Sequence, residues 1–195
     1  MAKKVIINFQ KEYKLWMACA KDNDVRPVLE YVFFRGGYAY ASDGWVLVRV
    51  PLDLCTTFDE EQRDLLDGYA IHGQLLKQLV KYEKVSVGHE IVNRDGVDKS
   101  LAVLVAESGY NIVKIYLSDN LSVTPPDFNR IFEKQEDATS IVKIGMNPDR
   151  VSAIAGALGT KSLKMLFTKE SDRVFVHPID EENESVGVVM PLYLS

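Results

Sequence analysis

Cysteine is close to absent: Cys19 and Cys55 are the only two among 195 residues. That excludes the multi-bridge framework that staples small secreted domains. A single bridge is arithmetically open, but both cysteines sit beside apolar neighbours, so reduced, buried thiols in a cytosolic chain are expected. Histidine is equally sparse. None of His72, His89 and His177 has a Cys, Asp or Glu at a recognised ligand spacing, and His177-Pro178-Ile179-Asp180 is a weak local pairing. No metal or other cofactor is expected. Serine-nucleophile motifs are missing. Gly156-Ala157-Leu158-Gly159-Thr160-Lys161-Ser162 superficially evokes a phosphate loop, but it lacks the Gly-rich entry after a strand, and its first part is apolar helix. Asp59-Glu60-Glu61 reads as a solvated helix start, with acids near the positive end, before it reads as a metal site. The expectation is a protein without catalytic chemistry.

Long hydrophobic runs are missing too, and no stretch approaches the length of a bilayer span, so no membrane partner is expected. At the start, polar Asn8 follows only three apolar residues, short of the core of an export signal. Positive charge is in deficit: 23 Lys and Arg stand against 28 Asp and Glu, a net charge of −5. A chain that grips nucleic acid by surface charge alone is normally basic. Acidity leaves two exceptions, in which positive charge gathers on one face or the protein encloses its partner.

What is present is ordinary globular chemistry, 47% hydrophobic and 26% charged residues, enough for one domain with a smaller packed unit. A strand–helix–strands pattern recurs three times, in shape more than in letters. The first pass opens with the strand Lys4 to Phe9. A helix is predicted over Gln10 to Lys21, where Leu15, Trp16 and Cys19 line one side. Strands follow over Arg26 to Phe34, Tyr38 to Ser42 and Val46 to Val50, with Gly36-Gly37 and Asp43-Gly44 as turns. Asp59 to Leu66 is a short helical candidate between passes. The second pass has a strand at Tyr69-Ala70-Ile71, a helix over Gly73 to Lys81, and strands near Val85 to Val87, Leu101 to Ala106 and Asn111 to Leu117. In the third, Ile141 to Gly145 is a strand. Asn147 caps a helix begun by Pro148 and Asp149, with Val151, Ile154, Ala155 and Leu158 as its buried stripe and Gly159 as its end. Ser162 to Phe167, Arg173 to His177 and Ser185 to Met190 complete it as strands. Such units place helices on one face of antiparallel sheets, an α+β fold of repeated βαβββ units. Thr124-Pro125-Pro126 is the best boundary. It divides a two-pass domain, 1–124, from a linker and half-sized unit, 125–195, which must cover its open sheet edge on the first domain or on another subunit.

Four segments are more specific. Arg26-Pro27-Val28-Leu29 with Ala41-Ser42-Asp43-Gly44-Trp45-Val46-Leu47, then Pro126-Asp127-Phe128-Asn129-Arg130-Ile131, Gly145-Met146-Asn147-Pro148, and Val188-Val189-Met190-Pro191-Leu192-Tyr193-Leu194 occur in the order found in the bacterial DNA sliding clamp. The chain resembles that family, the DNA polymerase III beta subunits, shortened to the middle domain and the last half of the final one. The resemblance implies the sliding-clamp fold and a ring around duplex DNA that tethers polymerase and repair factors. A phage or mobile element is one expected origin. Twelve helix-bearing passes surround DNA in the family, so four such subunits would supply the same number.

Two surfaces follow as expectations. Lys11, Lys14 and Lys21 fall at helical spacing on the first predicted helix and Lys77 and Lys81 on the second; Arg150, with Lys161 and Lys164 beyond it, marks the third. They would face DNA phosphates without reading bases; a solvated helix face explains any one of them equally. The family's peptide pocket implies Ser42, Gly44, Trp45, Val46, Leu47, Pro126, Ile131, Val188, Val189, Met190, Pro191, Leu192, Tyr193 and Leu194 as its counterparts. Such a pocket accepts aromatic or leucine anchors, with Met adapting its shape, although strands at a domain junction need the same residues as core. Trp45, Val46 and Tyr193 stand where the family has His, Arg and Arg, which makes this pocket more aromatic and less basic. The partners implied are duplex DNA, short peptides of replication and repair factors, and further copies of the chain. A module that keeps the pocket without the ring is the alternative.

Overall fold

The computed structural model describes residues 8–22, 25–94, 97–117, 127, 128, 132, 145–167, 173–180 and 182–192. Between Gln10 and Lys21 the chain forms only a 3-10 turn, Leu15–Met17, where a full helix is predicted. The apolar spacing is real, since Leu15, Ala18 and Cys19 are all buried. The backbone is satisfied elsewhere, however: the N–H of Gln10 donates to Cys55 O, that of Lys14 to Gly156 O and that of Ala20 to Leu29 O. Tertiary partners replace the i to i−4 bonds a helix would need. A second correction follows at Pro27–Glu30, another 3-10 turn, so β1 begins only at Tyr31–Arg35. Proline fixes φ near the helical value and suits the first position of such a turn.

β2, Tyr38–Ser42, and β3, Val46–Pro51, complete a meander. Gly36 and Gly37 join β1 to β2 at φ of 57° and 80°, the left-handed pair that a two-residue hairpin turn requires. Pro51 then leads into a single turn, α1, Leu52–Cys55, which periodicity does not reveal at that length. α2, Glu60–Asp64, is capped by the Asp59 carboxylate on the Gln62 N–H. β4, Ala70–His72, runs straight into α3, Gly73–Leu79, capped by His72 on the Gln74 N–H. β5, Lys84–Arg94, and β6, Val97–Ser108, form a hairpin whose strands extend well beyond the predicted Val85 to Val87 and Leu101 to Ala106, flanked by β7, Asn111–Tyr116. α4, Pro148–Ala157, starts as the sequence predicts, with Asn147 Oδ1 accepting from the Asp149 N–H at 2.9 Å. β8, Leu163–Phe167, β9, Val174–Pro178, and β10, Val186–Val189, end the described chain.

Seven strands make one antiparallel sheet in the order β4-β1-β2-β3-β10-β9-β8, and β5-β6-β7 make a second. The β3–β10 pairing joins Val46–Pro51 to Val186–Val189 in one sheet, so the segments read as the first and third passes pair within the same chain, with β8 left at the sheet edge. Strand alternation sorts the large sheet cleanly. Phe34, Ala39, Val48, Val176 and Val189 enter a core shared with Leu76 and Leu79 of α3, Ile154 and Ala157 of α4, and Leu104 of the second sheet. Phe33, Tyr40, Leu47, Phe175 and Val188 face the other way, under Phe128 and Phe132. Each fully buried Leu or Ile in the first cluster contributes about 1.5–3 kcal/mol. The result is an α+β fold of antiparallel sheets with helices on one face of the larger.

Candidate peptide-binding surface

The turn between β2 and β3 is built by its own side chains. Asp43 Oδ1 accepts from the N–H groups of Trp45 and Val46, each at 2.8 Å, while Ser42 Oγ accepts from the Gly44 N–H and donates to Val46 O. Gly44 sits at φ 91°, where a side chain is strained. This geometry throws Trp45 outward, and the ring is 56% exposed.

Beside it, β10 aligns Val189 with Val46 and Val188 with Leu47, and the ladder continues as the Met190 N–H donates to Trp45 O at 3.1 Å. One step on, the Leu192 N–H donates to Gly145 O at 2.7 Å, two residues before the Asn147 cap of α4. Met190 and Leu192 are 38% and 47% exposed, so three large apolar side chains meet solvent together at one end of the β3–β10 seam. Arg150, in the first turn of α4, lies across the Trp45 ring at 4.4 Å from its centroid. Its Nη1 is buried and has no hydrogen-bond partner.

Of the residues implied for the pocket, Ser42, Gly44, Trp45, Met190, Pro191 and Leu192 come together at this surface. Val46, Leu47, Val188 and Val189 are all at most 4% exposed and belong to the cores on the two faces of the sheet. Pro126, Ile131, Tyr193 and Leu194 lie outside the described residues. Sequence reasoning missed Arg150, which it grouped with the lysines. The contact joins residues more than a hundred positions apart, and no local pattern encodes it.

The basic residues are less unified than their spacing suggests. Lys77 and Lys81 are exposed on and just beyond α3. Lys11, Lys14 and Lys21 are exposed but share no helix, because the first predicted helix is a 3-10 turn. Lys161 is exposed ahead of β8. Lys164 alternates with Leu163 and Met165, which pack toward the helices, and so shares the opposite sheet face with Leu166. Arg150 is engaged with Trp45 rather than presented beside them.

Among the described residues no three His, Cys, Asp or Glu side chains gather as a metal site, and none of the helices is long and apolar enough to cross a membrane. Cys19 and Cys55 are both buried and unpaired, and loss of hydration on burial pushes their thiols up to about 12. Thiols held so firmly protonated are poor nucleophiles.

This arrangement has the fold of a DNA polymerase clamp subunit. The crystal structure of the beta subunit from DNA polymerase of Streptococcus pyogenes matches all of this chain and 67% of its own, with a TM-score of 0.52 at 14% identity. That of DNA polymerase III subunit beta from Pseudomonas aeruginosa matches all of this chain and 69% of its own, at 0.52 and 17%. The Thermotoga maritima beta subunit matches 97% of this chain and 65% of its own, at 0.53 and 12%. The chain therefore spans about two thirds of the length of these subunits, and at such identities what it shares with them is the fold. No protein-family model and no curated protein matches the sequence.

Proposed function

We propose that this chain is a sliding-clamp-like processivity factor that holds replication or repair proteins by short peptides bound across the β3–β10 seam. The observation that carries the reading is the joint exposure of Trp45, Met190 and Leu192 at that seam, in a chain whose fold is that of polymerase beta subunits. Apolar side chains clustered in solvent beside a rigid sheet suit an aromatic or leucine anchor, and methionine adapts to either. In this reading 1–124 form a two-pass domain and 125–195 a half-sized unit. Several copies close around duplex DNA, with Lys77 and Lys81 turned toward phosphate. Retention is topological, which accommodates the net charge of −5.

A second reading is favoured by a specific observation: only two of the predicted basic residues, Lys77 and Lys81, lie on or at the end of a helix and remain free of the pocket. A peptide-binding module without a ring needs no DNA face. Solution mass, with and without DNA, and retention on closed circular against linear DNA separate the two. The ring predicts a closed oligomer that stays on circles and runs off linear ends. A lone monomer at high concentration, with no preference for circles, sinks the ring. Peptide binding lost on Met190→Ala and Leu192→Ala supports the seam in either case.

A further inference from the structure

We infer that the cleft where β8 and β9 meet the loop after β9 binds the phosphoryl group of a small phosphate monoester, with Lys164 and His177 holding the anion together. The cleft has a volume of about 310 Å³, and its lining includes Lys164, Leu166, His177, Pro178, Ile179 and Asp180. It lies at the opposite end of these strands from Trp45 and Met190, so it stands apart from the peptide seam.

Lys164 and His177 face each other directly in the β8–β9 ladder. Alternation puts both on the helix-free face of the sheet, beside Leu166. The same row continues through Val186 of β10 to Arg49 of β3, so three groups able to carry positive charge share one line across the sheet. Like charges opposed across a ladder repel. Burial first, then the charges of Lys164 and Arg49, hold the proton affinity of His177 below its ordinary value. Lys164 joins no ion pair among the described residues. A dianion set between Lys164 and His177 reverses this balance, giving the lysine a counter-charge and favouring the imidazolium. A phosphoryl group suits the position because its several oxygens accept from donors on two strands at once.

The remaining groups set the kind of ligand. Asn183 is held back, with Oδ1 accepting from the Ser185 N–H and Nδ2 donating to the Tyr13 hydroxyl. Asp180 stands at the rim, where its Oδ1 accepts from the Glu182 N–H, and both acids are exposed. That acidic rim opposes an extended polyanion such as a nucleic-acid strand and admits a small one. Pro178 is buried and Ile179 is 60% exposed, which places an apolar wall beside the charges for the organic group of an ester.

The test follows His177 of the full chain by proton NMR between pH 8 and pH 5, its ring signal identified by its loss in His177→Gln. Sodium sulfate is the first probe, because its charge is constant over that range, and sodium chloride at equal ionic strength is the reference. Sulfate is expected to raise the His177 midpoint by about one pH unit, equivalent to binding about tenfold tighter at the acid end. In Lys164→Gln, shown to be folded by its melting curve, the midpoint without sulfate should lie higher than in the native chain and should no longer respond to sulfate. A midpoint that sulfate moves no further than chloride overturns the inference. A response that survives in Lys164→Gln overturns it as well, because the lysine is then no part of the site. Phenyl phosphate, largely dianionic at pH 7.5, is the second probe and is expected to bind severalfold tighter than sulfate. Equal affinities at that pH overturn the monoester and leave a site for the bare dianion.

Discussion

Single residues in this chain are tuned mainly by burial. Cys55 is fully enclosed and Cys19 nearly so, and both thiols titrate at about 12. Neither is expected to react with iodoacetamide at pH 8 while the chain is folded, and both should label fully in denaturant; fast labelling of either in the native state contradicts the burial. The unfolded thiols ionise near 9, so stability should also fall as pH rises from there toward 12. His177 shifts the other way. Desolvation first, then the charges of Lys164 and Arg49, hold its proton affinity below the ordinary value of 6.5. The unfolded chain therefore binds the extra proton first as pH falls. The contribution of His177 is complete above 6.5 and is lost as pH drops toward its folded value. A denaturation series from pH 7.5 to 5 should show a loss of stability that is smaller in His177→Gln, and an unchanged slope in that variant would assign the loss to carboxylates instead.

At the scale of elements, α4 packs tightly on the sheet it covers. A Cβ on Gly187 of β10 would stand 2.6 Å from Ile154 Cγ2 and 3.5 Å from Val48 Cγ1. Ile154 is fully buried and β-branched, so it has little freedom to retreat. Gly187→Ala should cost about 1–3 kcal/mol in chemical denaturation through overpacking. Gly156→Ala is the control. Its nearest obstacle, Met17 Sδ at 2.6 Å, belongs to a flexible and partly exposed side chain, so the loss should be smaller. Equal losses would mean that the sheet–helix contact is not the tight one. The same elements show which local signals suffice. Asn147-Pro148-Asp149 names its helix start correctly because the cap bond, the proline and the acid all act within one turn. The predicted helix over Gln10 to Lys21 has the apolar spacing but no capping side chain at Lys14, and tertiary hydrogen bonds claim its backbone.

For the whole molecule, the decisive question is which face the positive charge serves. Lys164 lies on the sheet face opposite the helices, whereas Lys77 stands on α3 and Lys81 just beyond its end, on the helical side. If the helices look toward DNA, Lys77→Glu with Lys81→Glu should shorten retention on circular DNA severalfold and reduce its salt dependence, while Lys164→Glu should leave both unchanged. A larger effect from Lys164→Glu reverses the orientation. The sheet edges β7 and β8 bear on assembly. Among the described residues β7 is an edge strand that exposes Ile112 and Val113, and an apolar edge of that kind invites another copy.

The sequence by itself determined what is local: the described strands and their alternation, the glycine and Asx turns, the cap of α4, and the order of segments that points to the clamp fold, whereas the strands expected at Lys4 to Phe9 and Ile141 to Gly145 lie almost wholly outside the described residues. Those features depend on residues a few positions apart, within reach of backbone geometry and hydrogen bonds. Only the tertiary structure decided that the first and third passes share one sheet, that Lys164 faces away from the helices, and that Arg150 closes over Trp45. Each of these depends on residues brought together from distant parts of the chain, and pairing of that kind is set by which buried faces fit one another rather than by any spacing along the chain.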